Sequence, residues 1–135
     1  MLRRALFLLS VLAVVAGCGD AAPAGPVTDV TATLTDDGIT LDSATVPSGR
    51  VSFEITNEGN AVHEFEIFTG RADDLTVENN VAVTASLDLI DEVEDIVPGM
   101  SLTLDVTLEP GEYVIICNLP GHVTNGMVVD LDVTG

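Results

Sequence analysis

Lysine and tryptophan are absent from this 135-residue chain, tyrosine occurs once, and cysteine and histidine occur only twice each. With so few aromatic residues, Val, Ile and Leu must build any core. Positive charge is nearly as scarce, with four basic residues against 22 acidic ones and a net charge of −18. A surface of that sign repels nucleic acid and anionic lipid, which excludes nucleic-acid binding. It suits docking onto a basic partner, and it equally suits solubility or adaptation to salt. Gly-x-Ser-x-Gly, His-Glu-x-x-His and phosphate-loop motifs are missing, so nothing points to a hydrolase or a nucleotide enzyme. The acidic pairs Asp36-Asp37, Asp73-Asp74 and Asp91-Glu92 read as solvated turns and faces.

What is present begins with a leader. Arg3 and Arg4 precede an apolar run from Leu6 to Ala16, the pattern of an export signal and too short for a comfortable membrane span. Val15-Ala16-Gly17-Cys18 resembles a bacterial lipobox, which implies removal of residues 1–17 and a lipid anchor on Cys18. Residues 18–26, rich in Gly, Ala and Pro, then form a flexible tether, and residues 27–135 form one domain. The expected location is the outer face of the cell membrane or the periplasm. Without Arg3 and Arg4 the chain keeps Arg50 and Arg71 against all 22 acids, a net −20. A lipidated Cys18 also leaves Cys117 without a disulfide partner, and a lone thiol in an oxidising compartment needs burial or a metal.

From residue 27 the chain is written in short alternating runs. Val30 to Leu34, Ile39 to Leu41, Val51 to Ile55, His63 to Phe68, Leu102 to Leu108, Tyr113 to Cys117 and Met127 to Val133 are bounded by turn residues such as Asp36-Asp37-Gly38, Asn57-Glu58-Gly59-Asn60 and Glu109-Pro110-Gly111. Period two with Val, Ile and Thr enrichment predicts an all-β, antiparallel sandwich or barrel. Between Arg71 and Val97 the pattern is open. Leu87, Ile90 and Val93-Glu94 fit one turn of helix with Ser86 as N-cap, or an irregular excursion.

One stretch concentrates the rare residues: CNLPGHVTNGM, from Cys117 to Met127. Alternation sends Tyr113, Ile115 and Cys117 to one face. Asn118-Leu119-Pro120-Gly121 turns the chain to His122, and Val123-Thr124-Asn125-Gly126 returns it to Met127. His63, opening an earlier strand, could add a second imidazole. Each residue alone has a duller reading: a strand-start histidine, a buried small thiol, a core methionine, an ordinary Pro-Gly turn. Together, two imidazoles, a thiolate and a weak thioether make the ligand set of a blue-copper electron-transfer site.

The Cys-x4-His-x4-Met loop resembles that of the plastocyanin/azurin-like cupredoxins, and its spacing is closest to the rusticyanin, sulfocyanin and auracyanin type. The resemblance continues through Val46 to Phe53, Asn57 to Phe65, Val97 to Met100 and Leu108 to Tyr113. It implies a Greek-key β-sandwich of seven to eight strands holding one copper ion. His63, Cys117 and His122 would be the strong ligands, both histidines through Nδ1, with Met127 axial. The Nε2 edge of His122 would face solvent as the electron's exit, ringed by Leu119, Pro120 and Val123. One departure is visible, because many members have glycine where this chain has Val129. The implied role is a monomeric one-electron carrier, not an enzyme, between redox proteins outside the cytoplasmic membrane. Copper storage or delivery by the same ligands is the alternative.

Overall fold

The computed structural model describes residues 25–135, so the expected leader, Cys18 and the tether up to residue 24 lie outside the described residues. Eleven strands follow: β1 Val27–Thr35, β2 Gly38–Leu41, β3 Thr45–Pro47, β4 Gly49–Asn57, β5 His63–Thr69, β6 Val77–Glu78, β7 Val81–Ala82, β8 Leu89–Ile96, β9 Ser101–Leu108, β10 Gly111–Ile116 and β11 Val128–Thr134. Two sheets, ordered β2-β1-β4-β9 and β3-β11-β10-β5-β8, face each other, and β6 with β7 forms a small hairpin. Seven strands have six or more residues, which matches the all-β expectation. The others span two to four residues, too few for alternation to register.

Alternation builds the core directly. Val30, Ala32 and Leu34 of β1 and Val51, Phe53 and Ile55 of β4 point inward from one sheet, while Phe65, Ile67, Tyr113, Ile115, Leu131 and Val133 point inward from the other. The Phe53 and Phe65 rings meet across the sandwich with centroids 5.4 Å apart and planes tilted by 56°. Such an aromatic pair contributes about 0.5–1.5 kcal/mol beyond its buried area.

β10 departs from the half-buried pattern, since Val114 and Ile116 on its outer face are buried too. They lie with Phe68, Ala82 and Val123 in a second apolar cluster. The excursion between β5 and β8 supplies that cover. Arg71 fastens its start, reaching Glu112 through Nε at 3.0 Å, Asp130 through Nη1 at 3.5 Å and Asp132 through Nη2. The β6–β7 hairpin turns through Asn79 and Asn80, both at positive φ, a conformation that asparagine tolerates.

The one-turn helix with its Ser86 cap is not formed. Ser86 lies in a turn closed by the Leu87 N–H on the Thr84 carbonyl at 2.9 Å, and Leu89–Ile96 is a strand. The exposed backbone edge of β5 supplies hydrogen-bond partners for this segment, which outweighs a short three-residue spacing of apolar residues. His63 pairs with Ile96 and Phe65 with Val93, so β8 carries one extra residue there, and Asp95 takes φ 54°. This bulge lies beside His63.

Candidate metal centre

Cys117 follows the last residue of β10 and is fully buried, on the same inward face as Tyr113 and Ile115. Its N–H donates to the Met127 carbonyl at 3.1 Å, and the Met127 N–H donates to the His122 carbonyl at 3.0 Å. The loop between them is therefore closed by its own backbone. Gly121 at φ +89° allows the first bend, with the His122 N–H on the Leu119 carbonyl at 3.0 Å. A 3-10 turn over Val123–Asn125 ends at Gly126, φ +108°. Outside the loop, the Gly121 N–H reaches the Asn80 carbonyl at 2.7 Å, and Asn118 exchanges hydrogen bonds with the Ala82 main chain at 2.7 and 3.2 Å. The excursion thus clamps the loop from its outer side.

His63 opens β5 and is fully buried. Asn57, also fully buried, shapes the turn before it. Its Nδ2 donates to the Ala61 carbonyl at 2.9 Å and the Ile96 carbonyl at 2.7 Å, and its Oδ1 accepts the Gly59 N–H at 2.8 Å. A buried side-chain amide with these partners is stabilising, whereas losing one would leave a desolvated polar group.

These elements bring three donor atoms together. Cys117 Sγ lies 3.2 Å from His122 Nδ1 and 4.0 Å from His63 Nδ1, and the two Nδ1 atoms are 3.2 Å apart. An ion bound at about 2.0–2.3 Å from nitrogen and sulfur donors needs them roughly 3–4 Å from one another, so the set fits a metal. Met127 is fully buried in the same core, one residue before β11. The Glu64 N–H points at Cys117 Sγ from 3.2 Å. Burial pushes the Cys117 thiol pKa up, and the Glu64 and Leu119 amides only partly oppose it. A thiolate here therefore calls for a cation. His122 is half-exposed, and its pKa is lowered by burial and by His63.

Asp36, which reads as part of a solvated turn in the sequence, belongs to this site. Its Oδ1 lies 3.1 Å from His63 Nε2. Amide hydrogen bonds from Ala61 and Asn60, with the Asn60 side chain, hold its pKa at about 2. Nothing in the local sequence signals this, because Asp36 and His63 meet only when the β1–β2 turn folds over the turn before β5. Farther along β5 and β8, Glu66 Oε2 is buried without a hydrogen-bond partner. Burial, then the charges of Glu64, Glu92 and Glu94, push the Glu66 pKa up to about 7.

One finer expectation changes. Of the three residues expected to ring His122, only Pro120 is exposed; Leu119 packs against the core and Val123 is 8% exposed in the outer cluster. Val129 stands in register with Ile115 and packs against the main core, so this position is filled by a side chain.

The chain is thus a β-sandwich with a buried Cys and two His donors gathered at one place. Residues 6–129 match the family model described as a cupredoxin-like domain, and the chain belongs to that family. Among curated relatives, the iron uptake system component EfeO of Escherichia coli strain K12 is 29% identical over 113 residues, covering 84% of this chain and 26% of the relative. The chain thus spans about a quarter of the length of the curated relatives it matches. In fold it is similar to dithionite-reduced auracyanin from Roseiflexus castenholzii, with TM-score 0.57, 20% identity, and 83% and 99% of the two chains covered. It is also similar to rusticyanin from Thiobacillus ferrooxidans, with TM-score 0.64, 17% identity, and 82% and 79% covered.

Proposed function

We propose that this protein is a mononuclear type 1 copper protein that carries one electron between redox partners outside the cytoplasmic membrane, held there by a lipid on Cys18. The observation that carries this reading is the triangle of His63 Nδ1, Cys117 Sγ and His122 Nδ1, mutually within 4.8 Å, inside a cupredoxin fold. Copper, when bound, supplies the Cu(I)/Cu(II) couple. The chain's own residues do the rest. Cys117 supplies a soft donor, the Glu64 amide stabilises its negative charge, and Met127 fills the core beside it. His63, Cys117 and Met127 are fully buried, which supports a carrier rather than an enzyme. His122, the more exposed histidine, is the route by which an electron enters and leaves. The acidic surface supports docking on a basic partner protein.

The test is the visible and paramagnetic-resonance spectrum of the protein loaded with Cu(II) and kept oxidised. An intense thiolate-to-copper absorption with narrow copper hyperfine splitting is expected. Tightly bound but colourless copper would instead support storage or delivery.

A second reading follows from the curated relatives, which are named as iron uptake system components. In it the same centre exchanges its electron with a metal ion being imported. Rapid mixing of the oxidised protein with Fe(II) separates the two, because only this reading expects bleaching as fast as physiological turnover requires.

A further inference from the structure

We infer that Asp36 is a positioning residue of the metal centre: its carboxylate accepts a hydrogen bond from His63 Nε2 and thereby holds the ring with Nδ1 unprotonated and turned toward Cys117 and His122. Its consequence for copper rests on the function proposed above; its cause rests on geometry alone.

An ionised carboxylate only accepts hydrogen bonds, so the 3.1 Å contact between Asp36 Oδ1 and His63 Nε2 places the ring proton on Nε2. This matters because Nδ1 faces a second ring nitrogen, His122 Nδ1, at 3.2 Å. A proton on His63 Nδ1 would occupy the lone pair a metal needs, and a proton held on Nε2 by Asp36 leaves that lone pair free.

The carboxylate is itself firmly held. Asp36 Oδ1 accepts the Asn60 N–H at 2.9 Å and the Ala61 N–H at 3.1 Å, and Oδ2 accepts the Asn60 Nδ2 at 3.2 Å. Room for it exists because residue 59 is glycine. A Cβ there would collide with Asp36 Oδ1 and come within 2.8 Å of His63 Nε2. The same turn bears on the other side of the site, since a Cβ on Gly126 would stand 2.7 Å from the Asp37 carbonyl oxygen. Gly126 immediately precedes Met127. The β1–β2 turn is therefore a brace that touches the approaches to two expected ligands from different strands. An ionised Asp36 one ring away from the ion also favours the more positive oxidation state.

The experiment compares the full-length wild type with Asp36→Asn and Asp36→Ala. In the copper-free proteins, ¹⁵N chemical shifts of the His63 ring report the tautomer; in the loaded ones, Cu(II) affinity and midpoint potential are measured. Wild type is expected to show the Nε2–H tautomer. Asp36→Asn keeps an acceptor oxygen and loses the charge. It should retain the tautomer while the ratio of Cu(II) to Cu(I) affinity falls about tenfold, a rise of about 59 mV for one electron. Asp36→Ala should lose the fixed tautomer and bind Cu(II) about 10–100-fold more weakly. An Nδ1–H tautomer in wild type overturns the inference, as does an unchanged tautomer and potential in Asp36→Ala. Should Asp36→Ala misfold, the wild type and the near-isosteric Asp36→Asn still decide it. Should wild type bind no copper, the proposed function fails and the copper-free tautomer still tests Asp36.

Discussion

The Cys117 N–H donates to the Met127 carbonyl at 3.1 Å, so the two ends of the loop that carries His122 are joined through the main chain. The loop's shape is thereby set by hydrogen bonds of its own backbone. With the β6–β7 excursion pressed on its outer side, the loop is held on both flanks.

Replacing Cys117 by serine should abolish the thiolate-to-copper absorption, because a hydroxyl offers neither the soft donor nor the charge transfer. Copper affinity should fall by more than the roughly 100-fold that loss of a supporting group costs. Absorption spectroscopy and a competitive chelator titration check both.

Met127→Leu exchanges side chains of similar volume at a fully buried position, so stability should fall by less than about 1.5 kcal/mol. Copper should stay bound, and the potential should rise because a weak donor to Cu(II) is gone. Denaturant unfolding and voltammetry give the two readouts.

At residue 59 the added methyl of Gly59→Ala would collide with both Asp36 and His63. Overpacking of this kind costs about 1–3 kcal/mol. Because the clash falls on a ligand's support, the copper spectrum should change as well, which thermal unfolding alone would not reveal.

Glu66 gives a stability effect with a definite sign. Its folded pKa, about 7, lies above the ordinary 4.5, so the folded state holds a proton that the unfolded state has lost between those values. Stability contributed by this residue is intact below about pH 4.5 and is lost as pH rises through about 7. Glu66→Gln should therefore be near neutral at pH 4 and stabilising at pH 8. With screening of a half-exposed group allowed for, the gain is about 1–2 kcal/mol. Urea unfolding of the copper-free proteins at both pH values measures it.

If the acidic surface guides partner docking, the second-order electron-transfer rate with a basic partner should fall as ionic strength passes about 0.1 M, where the Debye length is about 10 Å. A rate independent of salt would leave the surface beside His122, with the exposed Pro120, as the main contact. Stopped-flow measurement across a salt series distinguishes the two.

The β-architecture was legible because each long strand alternates. Val51, Phe53 and Ile55 face inward, as do Tyr113, Ile115 and Cys117, and period two needs no tertiary knowledge to be seen. The Cys117–Met127 loop was legible because its three chemistry-bearing residues are close in sequence and turn residues separate them. The segment containing Leu87 and Ile90 was not legible, since its structure depends on the free edge of β5, to which it pairs. Val123, expected on the surface around His122, is buried by residues from the excursion, and no local pattern marks that cover.

Local periodicity and turn chemistry were enough to read the long strands, the inward face of Cys117 and the composition of the expected ligand set. Invisible to any local pattern were the reach of His63 to Cys117 and His122, the place of Asp36 behind His63, and the half-buried setting of Glu66 among other carboxylates. Each of those depends on packing between strands remote in the chain, where distance and dielectric environment are set by the whole fold and not by any one segment.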